Sequence, residues 1–213
     1  MTLRLRADTD GSLISNLFID DVFFHTFLDV TPSHWAWEYI EALAASGITS
    51  GCSTDPLMYC PDNKVTRVQM AIFLMRGING PGYTPPPATG IFADVDPGHW
   101  TAPWIEAFYN LGITSGCSTG PLRYCPNNYI TRTQMAVFLE RVLHGSGYVP
   151  PPATGIFGDV DPGHWTAPWI EGLYADGVTL GCSATPLLYC PNGLVSREEM
   201  AAFLTRTFDL PMP

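Results

Sequence analysis

The chain repeats itself every 65 residues, three times. Phe27, Phe92 and Phe157 share one offset, Cys52, Cys117 and Cys182 a second, and Cys60, Cys125 and Cys190 a third. Each copy carries the same order of marks: Phe-x-Asp-Val, His-Trp, a Gly-(Ile/Val)-Thr turn, two cysteines, then Arg and Met-Ala. A period held to the residue means one supersecondary unit used three times, with function in the units or in the grooves between them rather than in one catalytic centre. A helical hairpin of this size buries too little surface to stand alone. The copies are therefore expected to pack on one another around a pseudo-threefold axis.

Charge narrows the partners. A net charge of −10 argues against loading onto nucleic acid or anionic lipid, since both need a basic face. No apolar run reaches the roughly 18 residues needed to insert across a membrane. Lys64 is the only lysine, and six arginines occupy two repeated positions: Arg67, Arg132 and Arg197, then Arg76, Arg141 and Arg206. An acidic chain that reserves its cations for threefold positions raises the question of an anionic ligand.

All six cysteines fall into local pairs with seven residues between the partners: Cys52 and Cys60, Cys117 and Cys125, Cys182 and Cys190. Fifteen connectivities are formally open to six cysteines, but a repeated local pair favours bridging within each copy. Such bridges persist outside the reducing cytosol, and each stabilises its unit by roughly 2–3 kcal/mol in the chain-entropy model. Zinc is the competing use of the thiols, but it wants closer ligand pairs with a second pair nearby, and His34, His99 and His164 lie far along the sequence. No metal or other cofactor is expected.

Within the second copy, Asp96-Pro97 reads as an N-cap and first helical residue, with Pro103 suited to a continuing first turn. The helix runs to about Leu111, and Gly112 ends it. Trp100, Trp104, Phe108 and Leu111 recur at spacings of three and four, an aromatic stripe read as core, with one tryptophan per unit left for sugar stacking as the alternative. The same face is Trp35, Tyr39 and Leu43 in the first copy and Trp165, Trp169 and Leu173 in the third. An irregular, disulfide-clamped loop follows. A second helix then opens on the capping boxes Thr66 with Gln69, Thr131 with Gln134 and Ser196 with Glu199. Arg132 and Arg141, nine residues apart, point to opposite faces of that helix.

The fold class expected is mainly α: three helix-loop-helix repeats in a pseudo-threefold arrangement, preceded by a short β-strand segment. The segments are residues 1–26, repeat 27–81, linker 82–91, repeat 92–146, linker 147–156 and repeat 157–213. The triple prolines of the linkers impose an extended conformation. In residues 1–26, Leu3, Leu5 and the run Phe18 to Phe24 look like strands separated by a turn at Asp10-Gly11. No export signal is visible there, so this segment is read as the end of a preceding extracellular β-domain.

Taken together, Phe-x-Asp-Val, His-Trp, a Trp-Ile-Glu helix, Gly-Ile-Thr-x-Gly, Cys-Pro and Thr-Arg-x-Gln-Met-Ala-x-Phe-Leu resemble the S-layer homology domain over residues 27 to about 208. In that family three tandem modules form a pseudo-trimer with a central helical bundle and anchor surface proteins non-covalently to the cell wall. The ligand is typically an anionic, pyruvylated wall polysaccharide held in grooves between modules. The resemblance implies a non-catalytic anchoring module at the cell surface.

The family's Thr-Arg-Ala-Glu tetrad maps onto Thr66-Arg67-Val68-Gln69, Thr131-Arg132-Thr133-Gln134 and Ser196-Arg197-Glu198-Glu199. A cap does not need the arginine, and a guanidinium offers paired donors to a ligand carboxylate. Arg67, Arg132 and Arg197 are therefore candidates for ligand contact, the alternative being an ion pair with Glu41, Glu106 or Glu171 of the first helix. Gly51, Gly116 and Gly181 match the family's glycine, which either admits a sugar or merely permits a turn. Trp35, Trp100 and Trp165 complete the candidate ligand set.

Two other functional classes compete. A structural subunit would self-associate into an array or filament, with strand addition by residues 14–24. A glycoside hydrolase needs two carboxylates across a cleft, and Asp94 with Asp96 and Asp159 with Asp161 supply pairs, but Thr31 breaks the pattern in the first copy. A calcium site at these aspartates lacks further oxygen ligands nearby.

Overall fold

The computed structural model describes residues 25–213. The expected N-terminal strands, their Asp10-Gly11 turn and the segment 14–24 lie outside the described residues. Each copy supplies a short helix, a two-stranded ribbon and a longer helix. The first gives α1 (Trp37–Ala45), β1 (Ser53–Thr54), β2 (Leu57–Met58) and α2 (Arg67–Asn79). The second gives α3 (Ala102–Asn110), β3 (Ser118–Thr119), β4 (Leu122–Arg123) and α4 (Arg132–His144). The third gives α5 (Ala167–Ala175), β5 (Ser183–Ala184), β6 (Leu187–Leu188) and α6 (Arg197–Thr207).

The short helices start later than Asp-Pro implies. Asp96 instead makes a turn, its side chain accepting from Gly98 N at 2.9 Å and its carbonyl from His99 N at 2.9 Å. Helix α3 begins at Ala102, five residues beyond Pro97, with Pro103 in its first turn, where a missing N–H leaves nothing unsatisfied. Trp100 thus precedes the helix and is 67% exposed, so it is not part of a buried stripe. The buried face is Ile105 and Phe108, with Trp104 half-buried against them. The helix ends as expected: Gly112 takes φ +72° and its N–H returns to the Tyr109 carbonyl.

All three longer helices open on the predicted capping boxes, each with side chain and backbone bonded reciprocally. The three local disulfides form, Cys52–Cys60, Cys117–Cys125 and Cys182–Cys190. Each closes over its ribbon, where Ser53 pairs with Met58, Ser118 with Arg123 and Ser183 with Leu188. The Asp of Phe-x-Asp-Val holds the base of this loop. Asp94 Oδ1 accepts from Tyr124 N at 2.8 Å and Oδ2 from Cys125 N at 2.8 Å, and Asp29 and Asp159 do the same in their copies. With both oxygens on backbone amides, these carboxylates are structural.

The copies close into a ring by exchange of helices. The close helix pairs are α2 with α3, α4 with α5 and α6 with α1. Each short helix therefore packs on the long helix of the preceding copy rather than forming a hairpin with its own. At the axis, three buried residues hydrogen-bond in a cycle: Ile130 N to Val65 O, Val195 N to Ile130 O, and Val65 N to Val195 O, at 2.9–3.1 Å. Around it, the free amides at each long helix's N-terminus are satisfied by a neighbour's loop. Arg67 N donates to Asn128 O and Val68 N to Pro126 O, and the other two copies repeat the pattern.

Candidate functional site

Around the ring lie three grooves, each built by all three copies. In one, Gly116, Gln134 and Phe138 come from the second copy, Arg67 from the first and Trp165 from the third. In the next, Gly181, Glu199 and Phe203 belong to the third copy, Arg132 to the second and Trp35 to the first. In the last, Gly51 and Gln69 belong to the first copy, Arg197 to the third and Trp100 to the second. Their volumes are about 320, 620 and 710 Å³ respectively. The nine candidate residues thus sort into three sets of one glycine, one arginine and one tryptophan. No copy contributes two of them to the same groove.

The arginine sits at the buried floor. Arg67 leaves the first turn of α2 and crosses to the next copy, where its Nε donates to the Tyr124 carbonyl at 2.8 Å and its guanidinium carbon lies 4.9 Å from the centre of the Tyr124 ring. The Tyr124 hydroxyl donates back to the Arg67 carbonyl at 2.7 Å. Arg132 with Tyr189, and Arg197 with Tyr59, repeat the exchange. Burial lowers the pKa of Arg67 and Arg197 from the ordinary guanidinium value, with the ring hydroxyl and a nearby aspartate acting the other way. In all three arginines Nη2 is buried and has no hydrogen-bond partner among the described residues. With these nitrogens shut away from solvent, the three arginines line the grooves from beneath.

The ion pair with the short helix's acid does not form. Glu106 is occupied by the incoming linker, accepting from Thr89 N, Gly90 N, Ile91 N and the Thr89 hydroxyl at 2.7–3.0 Å. Glu171 takes Thr154, Gly155 and Ile156 in the same way, and Glu41 takes Thr26. Burial alone would raise the pKa of Glu106 and Glu171, but the amides outweigh it and hold both below the usual value. The second arginine set is tied to its own copy, although Arg141 and Arg206 also line the grooves that hold Arg67 and Arg132. Arg76, Arg141 and Arg206 donate to the turn carbonyls Ile48, Ile113 and Val178 of their own copies, at 2.9–3.2 Å.

The glycines have a steric reason to be glycine. Gly116 takes φ +84°, and a Cβ there would sit 2.4 Å from the Arg123 carbonyl oxygen and 3.2 Å from the Phe92 ring. The tryptophans form the groove rims, Trp35 57% exposed and Trp100 and Trp165 each 67% exposed. The groove holding Arg132 differs from the others. Glu199 Oε1 accepts from Arg132 Nη1 at 2.9 Å, and Glu198 accepts from Trp35 Nε1 at 2.9 Å and lies 3.3 Å from His34 Nε2. The sister positions are the neutral Gln69, Gln134, Val68 and Thr133, so two grooves carry cations without an acid.

Sequence reasoning passed over Tyr59, Tyr124 and Tyr189, which bind each arginine to the ring. Their signal was present, since a tyrosine precedes the second cysteine in every copy. A metal among Asp94, Cys117 and Cys125, which lie close together, would need thiolates that the disulfide has consumed.

Residues 26–71 match the S-layer homology domain. Similar proteins include the S-layer protein sap of Bacillus anthracis, 28% identical over 85% of this chain and 21% of its own length. A cell surface protein of Thermoanaerobacter kivui is 29% identical over 87% of the chain and 22% of its length. An amylopullulanase of Thermoanaerobacterium thermosulfurigenes is 30% identical over 84% of the chain but 9% of its length. The chain thus spans between about a tenth and a fifth of these relatives. It therefore carries an S-layer homology domain at residues 26–71, and the same unit is rebuilt twice more at the same offset.

Proposed function

We propose that the chain is a non-catalytic module of the cell surface that anchors to the cell wall by holding an anionic polysaccharide in its grooves. The observation that carries this reading is that each of three grooves is floored by one buried guanidinium, lined by one glycine and rimmed by one exposed tryptophan. Paired N–H donors suit a carboxylate, such as that of a ketal-linked pyruvate, and a tryptophan face suits the apolar face of a sugar ring. Similarity to surface-layer proteins and, over a small share of its length, to a polysaccharide-degrading enzyme fits a module appended to different cargo. Asp94 and Asp159, the carboxylates a hydrolase would use, are bonded to backbone amides, which supports a non-enzymatic role.

The test is co-sedimentation of the oxidised protein with isolated cell-wall sacculi, before and after chemical removal of ketal-linked pyruvate. Because the arginines also hold the ring together, the informative variant replaces the exposed Trp35, Trp100 and Trp165 with alanine. Binding lost on both treatments is expected. Failure to bind intact sacculi would overturn the reading, and multimers forming without polysaccharide would favour the self-assembling alternative.

A further inference from the structure

The junction between the second and third copies contains a polar cluster absent from its two sister junctions. Glu140 and His144, four residues apart, lie on one face of α4, and Asp176 caps the C-terminus of α5 packed against it. His144 Nε2 lies 2.6 Å from Asp176 Oδ2 and 3.9 Å from Glu140 Oε2, and one donor atom from each residue falls within 4.8 Å of the others. At the junction of α2 with α3 the same positions are Met75, Asn79 and Leu111, and at α6 with α1 they are Thr205, Asp209 and Ser46.

Glu140 is the unexpected member. Its side chain is fully buried, and neither carboxylate oxygen accepts a hydrogen bond from a described residue. A buried, unpaired carboxylate is costly. Burial, and after it the charge of Asp176 and a hydrogen bond shared with that carboxylate, push its pKa up to about 8. The fold nevertheless makes room for it: Gly172 of α5 faces it, where a Cβ would fall 2.5 Å from Glu140 Oε2, and the sister positions are Ala42 and Ala107. The acid and the space for it thus depart from the repeat together.

We propose that Glu140, His144 and Asp176 bind one divalent transition-metal ion of the zinc class, which clamps the second copy to the third. Two carboxylate oxygens and one imidazole nitrogen form a borderline donor set that selects such a metal over calcium or magnesium. Tetrahedral zinc at about 2.0–2.2 Å from each ligand places neighbouring donors roughly 3.4 Å apart. The cluster reaches this if the His144–Asp176 contact opens slightly and the His144–Glu140 contact closes. Stacking of Tyr148 on His144, ring centres 4.3 Å apart, restricts the imidazole. None of the three ligands lines the grooves described above, so this inference is independent of the polysaccharide reading.

The experiment is isothermal titration of the oxidised, chelator-treated protein with zinc chloride, repeated with calcium chloride. Saturable binding of one zinc ion per chain, with a higher unfolding temperature, is expected. His144→Asn, which installs the residue of the first copy, should weaken binding by more than the roughly 10- to 100-fold that losing an outer-shell partner costs. Glu140→Met combined with Gly172→Ala rebuilds the first copy's packing and should fold yet lose the site. Absence of saturable zinc binding to the folded protein overturns the proposal. Binding undiminished in His144→Asn overturns it too, as it would assign the metal to other histidines, and so does calcium saturating as readily as zinc.

Discussion

Tyr124 and Arg67 bind each other's backbone in both directions: the tyrosine hydroxyl reaches the arginine carbonyl at 2.7 Å, and the arginine Nε reaches the tyrosine carbonyl at 2.8 Å. Because Arg67 belongs to the first copy and Tyr124 to the second, the exchange is a seam of the ring, and the same seam recurs at the other two interfaces. The arginine that floors each groove is therefore also a structural bolt. On the proposed function, ligand binding at the groove and assembly of the ring would use one side chain.

Tyr124→Phe is expected to cost about 1 kcal/mol, one buried hydrogen bond between neighbouring copies, without disturbing the packing of the ring. It should also change the alkaline limb of stability. Burial raises the pKa of Tyr59, Tyr124 and Tyr189 well above the ordinary 10.0, the adjacent arginine opposing it only in part. A raised pKa means that the folded form keeps its proton while the unfolded form loses it. The contribution is complete below pH 10.0 and fades as pH rises beyond it. Urea melts stepped upward from pH 10 should lose stability less steeply in Tyr124→Phe than in the parent, and equal slopes would count against this account.

What could be read in advance divides by range along the chain. The capping boxes span three residues and the disulfides eight, so local chemistry fixes them without knowledge of the fold. The late start of the short helices was obscured because Asp-Pro serves equally as a helix cap and as a turn, and Asp96 uses it as a turn. Helix pairing was obscured by the repeat itself. When three copies are alike, a contact between α3 and its own α4 has the same sequence signature as one between α3 and the preceding α2. The nine candidate groove residues were legible as threefold marks, but their sorting into one of each kind per groove needs the ring. Glu106 was seen as a free partner for arginine because the linker amides that claim it are main-chain groups with no residue signature.

The linker clasp sets the acid limb. Glu106 and Glu171 have pKa values below the usual 4.5, so their contribution is complete above pH 4.5 and is lost as pH falls through their depressed values. Glu106→Ala leaves several linker donors unpaired and should cost about 2 kcal/mol near neutrality. Its deficit against the parent should shrink as the solution is acidified below pH 4.5. Denaturant midpoints measured from neutrality downward test this, and a deficit that stays constant would show that the charge is not what holds the linker.

Gly116→Ala tests whether the groove glycine is fixed by its own copy. With φ +84° and a Cβ 2.4 Å from the Arg123 carbonyl, the substitution forces the ribbon or the turn to move. A loss of about 3 kcal/mol is expected, combining left-handed strain with the clash. Thermal denaturation measures it directly. A stable Gly116→Ala protein with impaired wall binding would instead assign the glycine to ligand access.

Glu199→Gln separates the cap from the charge. Glu199 Oε2 accepts from Ser196 N at 2.9 Å to complete the capping box, while Oε1 accepts from Arg132 Nη1 at 2.9 Å. Glutamine keeps the first bond, as Gln69 and Gln134 do in the sister boxes, and weakens the second. The carboxylate is about one-third exposed, so losing the ion pair should cost no more than about 1 kcal/mol. The same change leaves Arg132 without an acid partner and makes its groove resemble the two that hold Arg67 and Arg197. If the grooves bind an anionic wall polymer, Glu199→Gln should sediment with sacculi at least as well as the parent, and the gain should diminish with salt because it is electrostatic. Unchanged binding at every salt concentration would confine the ligand to the other two grooves. Weaker binding would mean that Glu199 orients Arg132 for the ligand instead of competing with it.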